Sequence, residues 1–317
     1  MSAAREERAV VDAAAQWMAL LHSGHASPEE LEALAMWRAS DARHEKVFQR
    51  MSERVGRLPE DVLRQFPRQT LLHSLQAPSS RRKVLRTCLG FAAAALLFTG
   101  VSRQRGWTAS GDVLQTSVGE RRRIDLPDGS VLVLNARTRL ESRFDASQRL
   151  IVLERGSLWL DVGRDAQRPF VVETVHGRMR ALGTRFMVER LEDRTQLTML
   201  HSRVLVETAA GVSETVEAGR NVVFDRERIF AQRDNLGDES AWLDGRLEAR
   251  DWPLRRLVER LRDYRSGIIT LDEQVADLHL SGIYPLDDSD HTLQLLERSL
   301  PIRVTYHSRY WVSIAAR

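Results

Sequence analysis

The sequence predicts a multi-domain chain with five parts. These are a small all-α N-terminal domain over residues 1–65, a tether over 66–83, a single transmembrane helix over 84–102, an all-β domain over 103–238 that is solenoid- or sandwich-like, and a C-terminal α+β domain over 239–317. Three observations lead there. Apolar residues recur at helical spacing up to about residue 65. The one long uncharged apolar run lies between Thr87 and Ser102. Beyond it, apolar and polar residues alternate with a period of two until about Ser240, after which helical and strand patterns mix.

In the first part, Val10, Ala14, Trp17 and Leu21 fall on one face of an amphipathic helix, which "HSGH" then breaks. Ser27-Pro28-Glu29-Glu30 reads as a helix start, with Ser27 as N-cap, Pro28 in the first turn and Glu30 as the capping-box partner. That second helix carries Leu31, Leu34 and Trp37 on one stripe. A third follows Asp41, with Val47, Phe48, Met51 and Val55 apolar, and Pro59 opens a weaker fourth. So small a domain has a marginal core, which suits a module stabilised by a partner. Trp17 and Trp37 read first as core residues, with contact to a partner through part of the same face as the second reading.

The apolar run reaches roughly nineteen residues, about one thin bilayer span, if Val84 and Leu85 are included and Arg86 snorkels. Charge counting isolates it further. Residues 1–79 hold ten Lys and Arg against eleven Asp and Glu, and residues 106–317 hold thirty-one against thirty-three. The basic surplus behind the pI of 9.4 therefore comes from Arg81, Arg82, Lys83, Arg86, Arg103 and Arg105, which flank the run. A DNA-binding face needs its basic excess on a folded domain, so direct nucleic-acid binding is excluded. The heavier N-terminal flank predicts a cytoplasmic N-terminus. The stretch from Ser80 to Arg86 resembles a twin-arginine export signal, and either route puts the C-terminal domains outside the cytoplasm. Cys88, the single cysteine, sits inside the run, so no intrachain disulfide forms.

In the β region, "RRIDLPDGSVLVLNA" reads as a strand pair around Pro127-Asp128-Gly129-Ser130, and "RLIVLERGSLWLDV" repeats the design around Arg155-Gly156. Val131 to Leu134 and Leu150 to Leu153 are apolar on both faces, which predicts strands buried between layers. The glycine turns are too unevenly spaced for a strict repeat. The last part reads as two strand–helix–strand units: "GRLEAR", "WPLRRLVERLRDY" and "GIITL", then "DLHLSGIY", a helix after Asp287-Asp288-Ser289, and "IRVTYH" with "RYWVSIA".

Catalytic signatures are missing. No P-loop, Gly-x-Ser-x-Gly, Gly-x-Gly-x-x-Gly or His-Glu-x-x-His occurs. His22, His25 and His44 have no fourth ligand beside them, and the acidic residues at 287–290 read as helix caps. No enzyme activity, cofactor or metal is expected.

This order of parts, and the residues within them, resemble the FecR family of anti-sigma factors. The resemblance rests on Trp17, "SPEELEALAMWRASDARHEKVF" with Trp37 and His44, "SVGERRRIDLPDGSVLVLNARTRLE", "RLIVLERGSLWLDV", "RPFVVETVHGRMRALGTRFMV" and "AWLDGRLEARDWPLRRLVERLRDY". Leu126, Asp128 and Gly129 in Leu-Pro-Asp-Gly-Ser, and Gly183 and Thr184 in Ala-Leu-Gly-Thr-Arg-Phe, are its most specific positions. Ser202 departs from the pattern, which has Gly there. The final 70 residues look like the short domain of secretins and TonB-dependent transporters. The resemblance implies a single-pass protein of the inner membrane. Its helical domain would bind an extracytoplasmic-function (ECF) sigma factor through Trp17, Leu21, Leu34, Trp37 and His44. Its periplasmic part would meet the signalling domain of a TonB-dependent outer-membrane transducer, with envelope proteases involved, in the control of iron or siderophore uptake genes. Arg81, Arg82 and Arg86 would flank the span. The competing class is a membrane-anchored periplasmic enzyme or cell-wall-binding scaffold.

Overall fold

The computed structural model describes residues 2–23, 26–55, 111–181, 183–235 and 237–317. The expected tether, the fourth helix at Pro59, the apolar run with Arg81, Arg82 and Arg86, and His25 lie outside the described residues. These residues pack as two units.

The larger unit is built on a 13-stranded sheet. Its strands are β1 (Val113–Gln115), β2 (Arg122–Asp125), β3 (Val131–Leu134), β4 (Arg139–Phe144), β5 (Arg149–Asp161), β6 (Phe170–Thr174), β7 (Gly177–Ala181), β8 (Arg185–Arg190), β9 (Thr195–His201), β10 (Arg203–Thr208), β11 (Ser213–Glu217), β12 (Arg220–Phe224) and β13 (Arg233–Asp234). Strand β5 organises it. Its first half pairs with β4 and β6, and its second half pairs with β3 and β8. The sheet curls around a core drawn from both halves, including Leu132, Leu140, Ile151, Leu158, Phe170, Phe186 and Phe224. Each such fully buried side chain contributes about 1.5–3 kcal/mol.

Three sequence expectations change here. "RLIVLERGSLWLDV" is one continuous strand, not a pair around Arg155-Gly156. Gly156 has φ 83°, the pairing register with β4 shifts beside it, and a Cβ would stand 2.5 Å from Thr138 Oγ1 and 2.6 Å from Thr138 Cα. A left-handed residue inside a strand bends it without ending it, and this is how β5 serves both halves. In β3, only Leu132 and Leu134 are buried while Val131 and Val133 are partly open, so that strand alternates. The third change concerns the fold class, which is mostly β with a curled sheet and a small N-terminal helical region. Among the described residues no helix is long and apolar enough to cross a membrane, and the expected transmembrane helix is not supported. The longest, α1 (Ser2–Ser23), has the length but carries Arg5, Glu6, Glu7, Arg8 and Asp12, each costly in hydrocarbon.

After the sheet, the same unit continues through a 3-10 helix (Asp238–Asp244), β14 (Arg246–Pro253) and α4 (Leu254–Arg262). Leu254, Leu257, Val258 and Leu261 recur at helical spacing and are all buried. Strand β14 pairs antiparallel with a later strand, His279–Pro285, with a bulge between Ala249 and Trp252 that puts Asp251 at φ 55°.

The smaller unit joins α1, α2 (Pro28–Ser40) and α3 (Ala42–Val55) to a three-stranded C-terminal sheet. With β15 (Ile268–Leu271), α5 (Glu273–Ala276), β16 (His279–Pro285), α6 (Ser289–Ser299), β17 (Ile302–Ser308) and β18 (Trp311–Ala316) in chain order, that sheet runs β15–β18–β17. Helix α2 starts as its sequence predicts: the Glu30 N–H donates to Ser27 Oγ at 3.2 Å and the Ser27 N–H to Glu30 Oε2 at 2.7 Å. Asp41 caps α3 by accepting from the Arg43 N–H at 2.8 Å. The helices bury Ala14, Ala15, Met18, Leu21, Leu34, Phe48 and Met51 in one cluster that also contains Ile268 and Trp311.

Candidate functional site

In the helical region, the sequence-predicted residues divide by depth. Leu21 and Leu34 are each 1% exposed and belong to the core, while Trp17 and Trp37 pack against it half-buried. Trp37 and His44 stack with ring centroids 4.5 Å apart and planes within 8°. His44 Nδ1 lies 2.9 Å from the Trp37 carbonyl oxygen, which can only accept, so Nδ1 carries the proton. Arg38 forks onto Glu45 with two 2.8 Å bonds and holds its carboxyl below the usual range. These contacts fasten the end of α2 to α3. The sequence reading missed Met36, which is 64% exposed one residue before Trp37. No local signal marked it, because Met36 stands among the apolar residues Ala33, Leu34, Ala35 and Trp37.

The two β motifs converge on one loop. Gly129, at φ 80°, lets the turn close, with its N–H donating to the Leu126 carbonyl at 3.0 Å. Asp128 accepts from the Ser130 hydroxyl at 2.7 Å and from Arg149 Nη1 at 2.5 Å. Arg149 is fully buried and also donates to the Gly163 carbonyl at 3.0 Å, while the Gly163 N–H donates to Ser130 Oγ at 2.9 Å. From the other side, the Thr184 carbonyl accepts from the Val162 N–H at 2.9 Å. Gly183, at φ 85°, sits where a Cβ would stand 2.5 Å from Arg164 Cγ. Leu-Pro-Asp-Gly-Ser and Gly-Thr thus grip the chain around residues 162–164 from opposite sides, which makes both motifs part of the fold's frame.

A third cluster, which no motif announced, lines a cavity of about 60 Å³ between the sheet and α4. Arg260 of α4 forks onto Glu189 of β8, one bond being 2.7 Å, and the Tyr264 hydroxyl donates to Asn135 Oδ1. The Gly119 N–H donates to the Asp263 carbonyl at 2.9 Å. Burial pushes Tyr264 up to about 12. Burial also pushes Asp263 up to about 6 against the pull of Arg137 and Arg260; because 43% of its side chain is still exposed, water blunts that shift. Glu239 is raised by burial and by its neighbour Asp238. Arg256 lies 3.8 Å above the Trp252 ring. Among the described residues no group of three or more His, Cys, Asp or Glu is arranged to hold a metal. The partners are separated by 71 and 129 residues, too far for any local pattern to reveal.

Two stretches of the chain match known families, and its fold is similar to solved structures. The FecR protein family matches residues 112–205, which hold strands β1–β9 and the start of β10 but not β11–β13. A domain of unknown function (DUF4880) matches residues 12–53, which span most of the three helices. Two crystal structures of a protein from Parabacteroides distasonis ATCC 8503, provisionally named an anti-sigma factor, share the fold with TM-scores of 0.57 and 0.56. Each is 22% identical, and the match covers 65% of this chain and 99% of that one. No curated protein matches the chain.

Proposed function

This chain carries a FecR domain behind a DUF4880 region, and on that premise we propose that it is an anti-sigma factor that relays a signal to transcription. In this reading the helical region holds an ECF sigma factor. The FecR sheet and the segments after it take their input from the signalling domain of a TonB-dependent transducer. Envelope proteases act on the chain during signalling, and the genes controlled serve iron or siderophore uptake.

The observation that carries the reading is the half-sealed aromatic face of the helices. Trp37 stacks on His44 at the α2–α3 junction, half-buried, with Met36 open beside it. Small bundles that complete such a face with a partner gain stability by mass action. The framework motifs fit as well, since Asp128, Arg149 and Thr184 hold a loop in place and present no reacting group to solvent.

The test is a reporter driven by the cognate sigma factor in cells with and without the chain. Deletion should change its output by about tenfold or more, and Met36→Glu should reproduce part of that change with the fold intact. An output indifferent to the whole chain would exclude the reading. Because the helices share their core with Ile268 and Trp311, the full chain is the proper reagent.

A further inference from the structure

Resting on the relay reading for the partner's role, we propose that the open edge of β16 is where the outer partner docks, by adding an extended strand with an uncharged, apolar centre and basic residues at both ends.

An edge strand invites pairing, and folded proteins guard such edges with charge, shortness, bulges or cover. This chain guards its others. β1 and β13 span three and two residues, β2 carries Arg122, Arg123 and Asp125, β14 is charged and bulged, and β15 has Ile268 and Ile269 buried. On β11 the Gln232 side chain donates to the Thr215 carbonyl at 3.2 Å, and on β17 the Val304 N–H donates to Glu297 Oε1 at 2.9 Å. Strand β16 has no such guard before its terminal Pro285. It holds no Asp, Glu, Lys or Arg, and among the described residues it pairs with β14 alone. His279, Ser281, Gly282 and Ile283 are exposed, Ile283 at 58%. The unpaired side therefore offers backbone N–H and C=O groups, an apolar contact at Ile283, and at Gly282 the room for another backbone to come close.

The surroundings set the partner's charge. From Ser266 to Glu297 the sequence holds seven Asp and Glu and no Lys or Arg. At one end of the edge, Asp251 lies 3.4 Å from His279 Nδ1 and is mostly exposed. Past the other end, Asp287 and Asp290 each meet an arginine yet keep more than half their side chains open. Both ends are thus acidic and the middle is neutral. Arg246 and Arg250 belong to β14, not to the open edge. A second copy pairing antiparallel through the same strand would bring Asp251 of each towards Asp287 of the other, which like-charge repulsion opposes. A strand with Arg or Lys at its ends meets no such penalty, and an apolar side chain at its centre covers Ile283.

The probe is a synthetic peptide of alternating Val and Thr with Arg at both ends, titrated into the full chain and followed by fluorescence anisotropy and hydrogen exchange. The expected result is saturable binding, with exchange slowed about tenfold at residues 279–285 and unchanged in β5. Binding should weaken about tenfold or more when Glu replaces Arg in the peptide, when alternate peptide amides are N-methylated, and when the chain carries Ile283→Lys, a guard charge at an exposed position. Ile283→Val should bind as the unaltered chain does, and Ile283→Lys should shift the sigma-dependent reporter. No binding, equal binding of the Glu-ended or N-methylated peptide, protection outside 279–285, or a reporter indifferent to Ile283→Lys would overturn the proposal. So would a dimer of the chain that Ile283→Lys dissolves, since the occupant is then a second copy. Should deleting the chain leave the reporter unmoved, it is the relay reading that fails, and the titration alone then decides whether the edge accepts a strand.

Discussion

At the residue scale, Asp128 and Arg149 set the largest single consequence. Arg149 is fully buried and Asp128 is its only carboxylate partner among the described ion pairs. Asp128→Ala strands that charge in the sheet, and the expected loss is about 3–5 kcal/mol in a chemical unfolding curve. Asp128→Leu with Arg149→Met should recover much of it, because an apolar pair leaves no uncompensated charge. Ser202 gives an effect of opposite sign. It holds φ 65° between β9 and β10, a left-handed conformation that disfavours any Cβ, so the turn keeps a glycine-like geometry where the sequence departs from Gly. Ser202→Gly should raise stability by about 1 kcal/mol, seen as a higher unfolding midpoint at unchanged slope.

At the element scale, the turn between β6 and β7 carries a buried titratable group. His176 is 3% exposed, with Nδ1 2.9 Å from Thr195 Oγ1, and burial followed by Arg190 holds its pKa below the usual value. The unfolded chain therefore takes up the proton first. Stability is full above about pH 6.5 and declines as pH falls below it. Denaturation midpoints should drop between about pH 7.5 and 5.5, and His176→Gln should flatten that slope. Elements whose signals are local were legible in advance. The Ser27–Glu30 box, the Asp41 cap, the Pro127–Ser130 turn and the apolar stripe of α4 each need only a few neighbouring residues. The bend in β5 was not, because Arg155-Gly156 looks like a turn until Thr138 is known to lie against the glycine.

At the scale of the whole molecule, what escaped the sequence was pairing at a distance. Asp128 meets Arg149, and Glu189 meets Arg260, only once strand register is set. For the same reason Leu21 and Leu34 could be assigned to an apolar face but not to its depth, which the shared cluster with Ile268 and Trp311 determines. The period-two pattern announced many strands, and the curl that makes them one sheet depends on β5 pairing on both sides in both halves. The resemblance to FecR proteins was carried by framework residues. That explains how it could be strong while the residues a partner touches, Met36 above all, carried no motif.

The central claim is that the helical region binds a sigma factor, and co-purification addresses it most directly. The full chain should be expressed with each ECF sigma factor of the same genome, alongside Met36→Glu and Trp37→Ala. The account predicts that one sigma factor is retained by the unaltered chain and that either substitution weakens binding by about thirtyfold, the mark of an interface anchor. Retention of none, or retention unchanged by both substitutions, would contradict it.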